Sequence, residues 1–298
     1  MSRLLLVTGL WPTPDKPSAG IFVKRRVAGQ PITVVAPLSY RGSRPLRYRS
    51  LAIRAVTARG PFVGVEAHPL FPAGLIGLLA ARLRRVPLVV YAHGADVRET
   101  AVENGIYRFL ARMVIRGAAA IVANSADTAA LVAQLGGSAT VIAPGVDLGQ
   151  FSPSPRPEAR NVLYLGGTDP RKGYEVARTL ADTLVGPGLR TLDPDEVATV
   201  IAEHDVVLVP SRAEPYGLVA AEAIASGRWV VPRNVGGLRE IVEYGVTGTL
   251  IDEDAGFAGA IQNVPDYDPY VVAGHAAPLS LEASNLAMAA LWERVATR

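Results

Sequence analysis

Short apolar, β-branched runs alternate along this chain with longer segments rich in Ala, Leu and Arg. The short runs fit buried strands and the longer segments fit helices, which is the pattern of βα units built around parallel sheets. In the first half, strands are predicted over 3–8, 32–36, 64–67, 88–92, 120–123 and 140–142. Helices over 20–28, 74–84, 105–117 and 125–135 fall between them, with Ser125 suited to an N-cap and Gly136-Gly137 to a stop. The stretch FSPSPRPEAR, residues 151–160, carries three prolines and two serines and reads as a linker. The pattern then restarts, with strands over 161–165, 206–209, 229–231 and 249–251 and helices over 173–184, 194–203, 217–226 and 238–243.

The expected fold class is therefore α/β, with two doubly wound, Rossmann-like parallel-sheet domains over 1–150 and 158–279. The final amphipathic segment, 280–298, has little sequence around it to pack against and is expected to return to the first domain. Such folds bind ligands outside the carboxyl ends of their strands, so a cleft between the two domains is the expected site.

Composition narrows the chemistry. The chain has 298 residues and no cysteine, which excludes disulfides and thiolate metal sites. Its four histidines (His68, His93, His204 and His275) show no H-E-x-x-H spacing, so no metal site is expected. The opening MSRLLLVTGLWP has too short an apolar run for a signal peptide and reads as a first buried strand. The stretch 69–81, broken by Pro72, falls short of the ~20 residues of a membrane span. The expected location is cytoplasmic, with a peripheral seat on the inner face of the membrane as a second option.

The net charge of +3 conceals an asymmetry. Residues 1–150 carry 18 Lys and Arg against 7 Asp and Glu, whereas residues 151–298 carry 12 against 20. A basic half suits an anionic membrane or an acidic acceptor. Nucleic acid is not expected as a partner, because no basic motif is interleaved with aromatics. Arg41, Arg44, Arg47 and Arg49, in RGSRPLRYRS, are the acceptor-side candidates for a lipid phosphate or membrane surface; a solvated basic loop is the competing reading.

The densest chemistry lies in PSRAEPYGLVAAEAIASG, residues 210–227. Pro215 leaves Glu214 in a loop and lets a helix begin near Gly217. The amides of Gly217 and Leu218, free of bulk at the glycine, would then form an anion site suited to a diphosphate. Glu222, about one turn in, is placed to accept from paired hydroxyls. Lys172, in GGTDPRKG, follows a strand and a turn and would neutralise phosphate oxygens as charge develops on a leaving group. The stretch is no Walker A loop, since no G-K-[ST] occurs.

Five stretches together resemble the retaining, nucleotide-sugar-dependent glycosyltransferases of the GT-B fold, closest to glycosyltransferase family 4 (group 1). They are PTPDKPSAGIFVKR, VPLVVYAHGADV, APGVDLGQFSP, LGGTDPRKG, and PSRAEPYGLVAAEAIASG followed by VGGLREIVEYGVTGTLI. The resemblance implies transfer of a sugar from a nucleotide-diphosphate-sugar donor to a glycan, lipid-linked or protein acceptor, with retention and without a metal or other cofactor. It implies that His93 lies beside the donor sugar, that Glu214 meets the transferred sugar and Glu222 the ribose, and that Lys172 meets the diphosphate. The acceptor would sit on the first domain and the donor on the second. Gly20, opening a predicted helix after the Pro-rich loop 11–19, leaves an amide that phosphate or acceptor can approach, with a plain turn glycine as the competing reading. Gly236 and Gly237 fall in a loop that the resemblance sets against the donor, and Tyr216 is a further donor-binding candidate.

Two departures stand out. Gly167 occupies the position where the pattern has an arginine, with Arg171 or Arg212 as the residues that would replace it. Only 41 residues separate Lys172 from Glu214, so the second domain looks shortened by about one βα unit. These departures motivate the alternative of a catalytically silent sugar-nucleotide-binding module or partner subunit. Asp96, three residues after His93, is expected either to cap the helix that follows or to join the site.

Overall fold

The computed structural model describes residues 3–98 and 105–297. The chain divides into two compact units, one of residues 1–143 with 285–298 and the other of residues 144–284.

The first unit is built on a six-stranded parallel sheet. Its strands are β1 (Arg3–Thr8), β2 (Ile32–Val35), β3 (Phe62–His68), β4 (Leu88–Ala92), β5 (Ala120–Ala123) and β6 (Thr140–Val141), in the order β2-β1-β3-β4-β5-β6. Both faces are buried, as a parallel sheet with crossover helices requires. Alternate residues make the two faces distinct. Leu5, Val7, Val65, Ala67, Leu88 and Val90 join a large core with helices α2 (Arg44–Thr57), α3 (Ala73–Arg84), α4 (Gly105–Gly117) and α5 (Ala126–Gln134). On the other face Leu6 packs with Val23 and Val27 of α1 (Ile21–Val27). Val89, Tyr91 and Val122 pack there with Met288, Leu291 and Val295 of the last helix. Gly64 makes room for that helix, because a Cβ there would collide with the Trp292 ring.

The second unit carries four parallel strands, β7 (Val162–Tyr164), β8 (Thr183–Leu184), β9 (Val206–Val209) and β10 (Trp229–Pro232), in the order β10-β9-β7-β8. Helices α6 (Tyr174–Leu180), α7 (Val197–Ala202), α8 (Leu218–Ala225), α9 (Leu238–Ile241), α10 (Gly256–Gln262) and α11 (Pro269–Gly274) surround it, and α12 (Leu281–Ala296) leads back to the first unit. In each sheet the chain leaves a strand to one side and returns on the other. The switch points are β1/β3 in the first unit and β7/β9 in the second, where an open α/β sheet places its ligands.

Several sequence expectations need correction. RGSRPLRYRS is not a loop but largely the start of α2, with Ser43 at the N-cap and Pro45 in the first turn. The helix expected over 173–184 ends at Leu180, and Thr183–Leu184 forms β8. There the Asp182 side chain accepts from the Val162 amide at 2.8 Å and seats the new strand beside β7. Residues 249–251 do not make a strand; Gly248 and Ile251 form isolated bridges to Val230 and Arg233. The Pro-rich stretch 151–160 does not lie between the units but belongs to the second. Phe151 is buried, and Arg156 pairs with Asp205 at 2.9 Å while stacking on Tyr267 at 4.1 Å. The fully buried Arg228 bonds the Ala202 and Pro155 carbonyls at 2.9 and 3.1 Å, tying the same stretch to α7.

Candidate functional site

At the β7/β9 switch point three loops of the second unit converge. The first follows β7 and closes in a single 3-10 turn, Pro170–Lys172, capped by Asp169, whose carboxylate accepts from the Arg171 amide at 2.9 Å. Gly173 then takes φ +77°, where a Cβ would strike the Pro210 carbonyl of the second loop. The Arg212 amide donates to the Arg171 carbonyl at 2.8 Å and the Gly237 amide to the Glu214 carbonyl at 3.0 Å. Gly236, at φ +50°, lets the third loop pass over Glu214 where any Cβ would collide with its carbonyl.

This framework brings Lys172 and Glu214 together. The Lys172 ammonium donates to Glu214 Oε2 at 2.7 Å, and Ser211 Oγ donates to the same oxygen at 3.2 Å. Beside them lies a cavity of about 30 Å³ lined by Tyr164, Gly166, Lys172, Ser211, Glu214 and Val219. That volume suits a water molecule and not a sugar. Gly217, at φ +109°, opens α8 without any side-chain cap, so the first-turn amides of α8 lack the intrahelical partners that later turns have. Glu222 lies in the next turn and is 9% exposed. The Tyr216 ring is buried, and burial raises its phenol well above the ordinary range.

The remaining cations of the unit are engaged. Arg171 pairs with Asp169 at 2.9 Å and Arg212 with Asp254 at 3.1 Å. Gly167 takes φ +65°, and a Cβ there would collide with the Pro187 carbonyl. The short 185–190 turn thus occupies the space an arginine side chain would need, which gives the departure at this position a steric cause.

His93, Gly20 and the four arginines belong to the first unit. Gly20 takes φ +65° at the N-cap of α1, and a Cβ would strike the Leu10 carbonyl, so the chain itself demands a glycine there. His93 follows β4 at the carboxyl end of the sheet. Its backbone amide donates to Asp96 Oδ1 at 2.9 Å, and the Leu70 amide donates to Asp96 Oδ2 at 2.6 Å. Asp96 therefore braces the His93 loop against the loop after β3 and is held at about 6, mainly by burial, despite these donors. Arg47 donates to the Tyr40 carbonyl at 3.1 Å and lies over the Tyr40 and Tyr48 rings.

Periodicity passed over three buried side chains next to His93. Arg26 from α1 pairs with Glu66 on β3. His68 Nε2 lies 2.7 Å from Glu66 Oε1, and His68 Nδ1 lies 2.9 Å from His93 Nε2. Burial, reinforced by Arg26, pushes His68 well below the ordinary histidine range. Burial, His68 and Arg26 do the same to His93. The available signal was the E-x-H spacing at the end of β3, which puts Glu66 and His68 on one face of the strand.

Residues 5–145 match the family model described as "Glycosyl transferase 4-like domain", and residues 150–265 match "Glycosyl transferases group 1". The chain is 29% identical to D-inositol 3-phosphate glycosyltransferase 1 of Catenulispora acidiphila, an alignment covering 84% of this chain and 73% of that protein. It is 33% identical to D-inositol 3-phosphate glycosyltransferase of Geodermatophilus obscurus, covering 69% and 60%. The chain spans about half the length of the Mycobacterium tuberculosis relative, 53%, at 30% identity. Among solved structures, Anabaena HepE in complex with UDP and glucose superposes with a TM-score of 0.74 at 20% identity, covering 98% of this chain and 99% of that one. Sucrose-phosphate synthase from Thermosynechococcus elongatus superposes with a TM-score of 0.76 at 18% identity, covering 99% of both. The chain thus matches, in order, a glycosyltransferase 4-like model and a group 1 glycosyl transferase model, and its two Rossmann-like halves have the GT-B fold.

Proposed function

We propose that the protein transfers a sugar from a nucleotide-diphosphate sugar to an acceptor hydroxyl with retention at the anomeric carbon. The observation that carries this reading is the 2.7 Å pairing of Lys172 with Glu214 beside the uncapped start of α8. An ammonium, a row of helix-end amides and a carboxylate at one switch point match a donor whose diphosphate is anionic and whose sugar offers hydroxyls. The relatives' names support sugar transfer, and the UDP, glucose and UDP-glucose of the HepE complexes support this donor class.

In this reading the diphosphate takes Lys172 from Glu214 and lies against the amides of Gly217 and Leu218. Glu214, released, accepts from hydroxyls of the transferred sugar, and Glu222 accepts from the ribose. Gly236 and Gly237 hold the loop that closes on Glu214. The acceptor hydroxyl attacks on the face the diphosphate leaves, and a leaving phosphate oxygen takes its proton. Charge stabilisation by Lys172 and α8 then supplies the largest share of the rate. A lysine in that place does the work a divalent ion does elsewhere, so no metal is required. His93, in the first unit, accepts from a sugar hydroxyl. The basic stretch leading into α2, through Arg41, Arg44 and Arg49, receives an anionic membrane surface that presents the acceptor.

Incubation with UDP-, GDP- and ADP-sugars tests the reading directly. Release of nucleoside diphosphate, and a product whose anomeric configuration by NMR matches the donor's, are the expected results. Binding without release from any donor would make the protein a silent nucleotide-sugar module instead.

A further inference from the structure

We propose that Arg26, Glu66 and His68 form a positioning relay that fixes His93 as the Nε2–H tautomer, so that its Nδ1 serves as an acceptor for a sugar hydroxyl. The inference rests on the reading of His93 as a sugar-facing group, but its structural content stands apart from it.

The relay follows from counting protons along one chain of contacts. Glu66 Oε1 accepts from Arg26, and Oε2 accepts from the Trp292 indole at 3.3 Å. With a guanidinium on one oxygen and an N–H on the other, Glu66 is a carboxylate and has no proton to give. His68 Nε2 lies 2.7 Å from Oε1 and 3.4 Å from Arg26 Nη2; the short contact with a carboxylate oxygen needs a hydrogen between the two atoms, so Nε2 carries it. A neutral imidazole has a single N–H, so His68 Nδ1 is left with its lone pair. His93 Nε2, 2.9 Å away, has to donate to it. The second proton position of His93 is then empty, and Nδ1 is an acceptor.

Burial and the Arg26 charge keep both rings neutral, which removes the arrangement in which His68 would donate from both nitrogens. The ring planes are also held. Tyr91 stacks on His93 at 4.8 Å and 7° and on His68 at 4.9 Å and 27°, while Phe22 meets the His93 ring edge-on at 5.1 Å. His68 is buried and His93 is only half-buried. Among the described residues Nδ1 makes no hydrogen bond, and His93 is the one member of the relay that is not fully buried.

A purely structural role explains the cluster poorly. Burying a guanidinium and a carboxylate seldom stabilises a fold more than well-packed apolar groups would. Here Arg26 Nε is left buried without a partner. A fixed tautomer is what the arrangement provides in return. It lets a hydroxyl donate to His93 and bars a carbonyl or phosphate oxygen from accepting at that nitrogen.

The test uses the full chain with 15N-labelled histidine. The expected spectrum at neutral pH shows pyrrole-type nitrogens at Nε2 and pyridine-type nitrogens at Nδ1 for both His68 and His93. A pyrrole-type Nδ1 on His93 overturns the proposal, and this readout needs neither activity nor a variant. H68F keeps a ring against Tyr91 but removes the acceptor, and His93 should then populate both tautomers. H68N returns an oxygen near the Nδ1 position and should restore the single tautomer. In sugar transfer, H68F should lower kcat ten- to hundredfold, the scale of a misaligned reacting group, with donor KM changing about twofold at most, and H68N should recover most of the loss. Equal kcat in H68F and H68N would sink the relay. If the wild-type protein transfers no sugar, the reading of the reaction fails while the nitrogen shifts still decide the relay.

Discussion

The Lys172 ammonium lies 2.7 Å from Glu214 Oε2, so the cation proposed for the diphosphate touches the carboxylate proposed for the sugar. The pair is unequally exposed, 40% for Lys172 and 12% for Glu214, so little stability is at stake on the lysine side. In the proposed reading, donor binding separates them. K172A should therefore lower kcat by roughly 10²–10³-fold, the scale of losing one oxyanion-stabilising group, while thermal stability changes little. Nucleoside diphosphate release measured on the best donor of the panel checks this; a K172A variant with wild-type kcat would remove lysine from the mechanism.

Glu222 offers a cleaner test of where the ribose lies. It is buried in the second turn of α8, whose first turn is uncapped. E222A should weaken nucleoside diphosphate binding by roughly 1–3 kcal/mol, the range for a hydrogen-bonded charged group. Titration calorimetry with a 2′,3′-dideoxy nucleotide supplies the control. The substitution should cost that analogue almost nothing, and an equal loss for both nucleotides would place the ribose elsewhere.

Gly236 is held at φ +50° with its α-carbon over the Glu214 carbonyl, where no Cβ fits. G236A should cost about 1–3 kcal/mol of folding stability, the range for a strained non-glycine backbone, and should also displace the loop that positions Glu214. Urea denaturation and donor titration measured together check both effects. G245A is the control, since Gly245 also has positive φ, +77°, but open space around its Cβ position. It should lose stability without losing donor affinity.

These strands were legible because they are short, nearly continuous apolar runs, and 3–8, 88–92, 120–123 and 206–209 coincide with β1, β4, β5 and β9. Helix α2 was hidden because arginines interrupt its apolar face, leaving only Leu51 and Ala55 fully buried. Strand β8 was absorbed into a helix because Ala181-Asp182-Thr183-Leu184 continues an apolar period that only pairing with β7 breaks. The departure at Gly167 was visible in the chain, but its cause, the Pro187 carbonyl, is a contact between loops twenty residues apart. The His68–His93 contact joins adjacent strands separated by 25 residues, and nothing local announces it.

The basic stretch leading into α2 separates its arginines into two kinds. Arg47 is engaged by the Tyr40 carbonyl and two tyrosine rings, so it braces the loop and contributes little to a surface field. Exchanging Arg41, Arg44 and Arg49 together for Gln should weaken attachment to phosphatidylserine-containing vesicles by about 3 kcal/mol, on the order of 1 kcal/mol each. Co-sedimentation at low and high salt is the measurement. Equal binding of wild type and triple variant, or of charged and neutral vesicles, would leave the membrane proposal without support.

Asp96 sets an expectation for pH. Burial holds it at about 6, above the ordinary 3.8, while the amides of His93 and Leu70 each occupy one of its oxygens. As pH falls through 6 the carboxyl gains a proton, one oxygen becomes an O–H facing an N–H, and the His93 loop loses a brace. Transfer should decline on the acid side with an apparent pKa near 6. His68 and His93 do not supply that limb, because burial pushes both well below the ordinary range. Stability moves the other way. Between about 4 and 6 the folded chain binds this proton and the unfolded chain does not, so the contribution of Asp96 to stability grows on acidification and is lost as pH rises through 6. D96N removes the titration, so its pH–rate profile should be flat near 6 at a lower plateau. The urea stability difference between wild type and D96N should tilt in favour of wild type as pH drops. An acid limb near 6 that persists unchanged in D96N would assign it to another group.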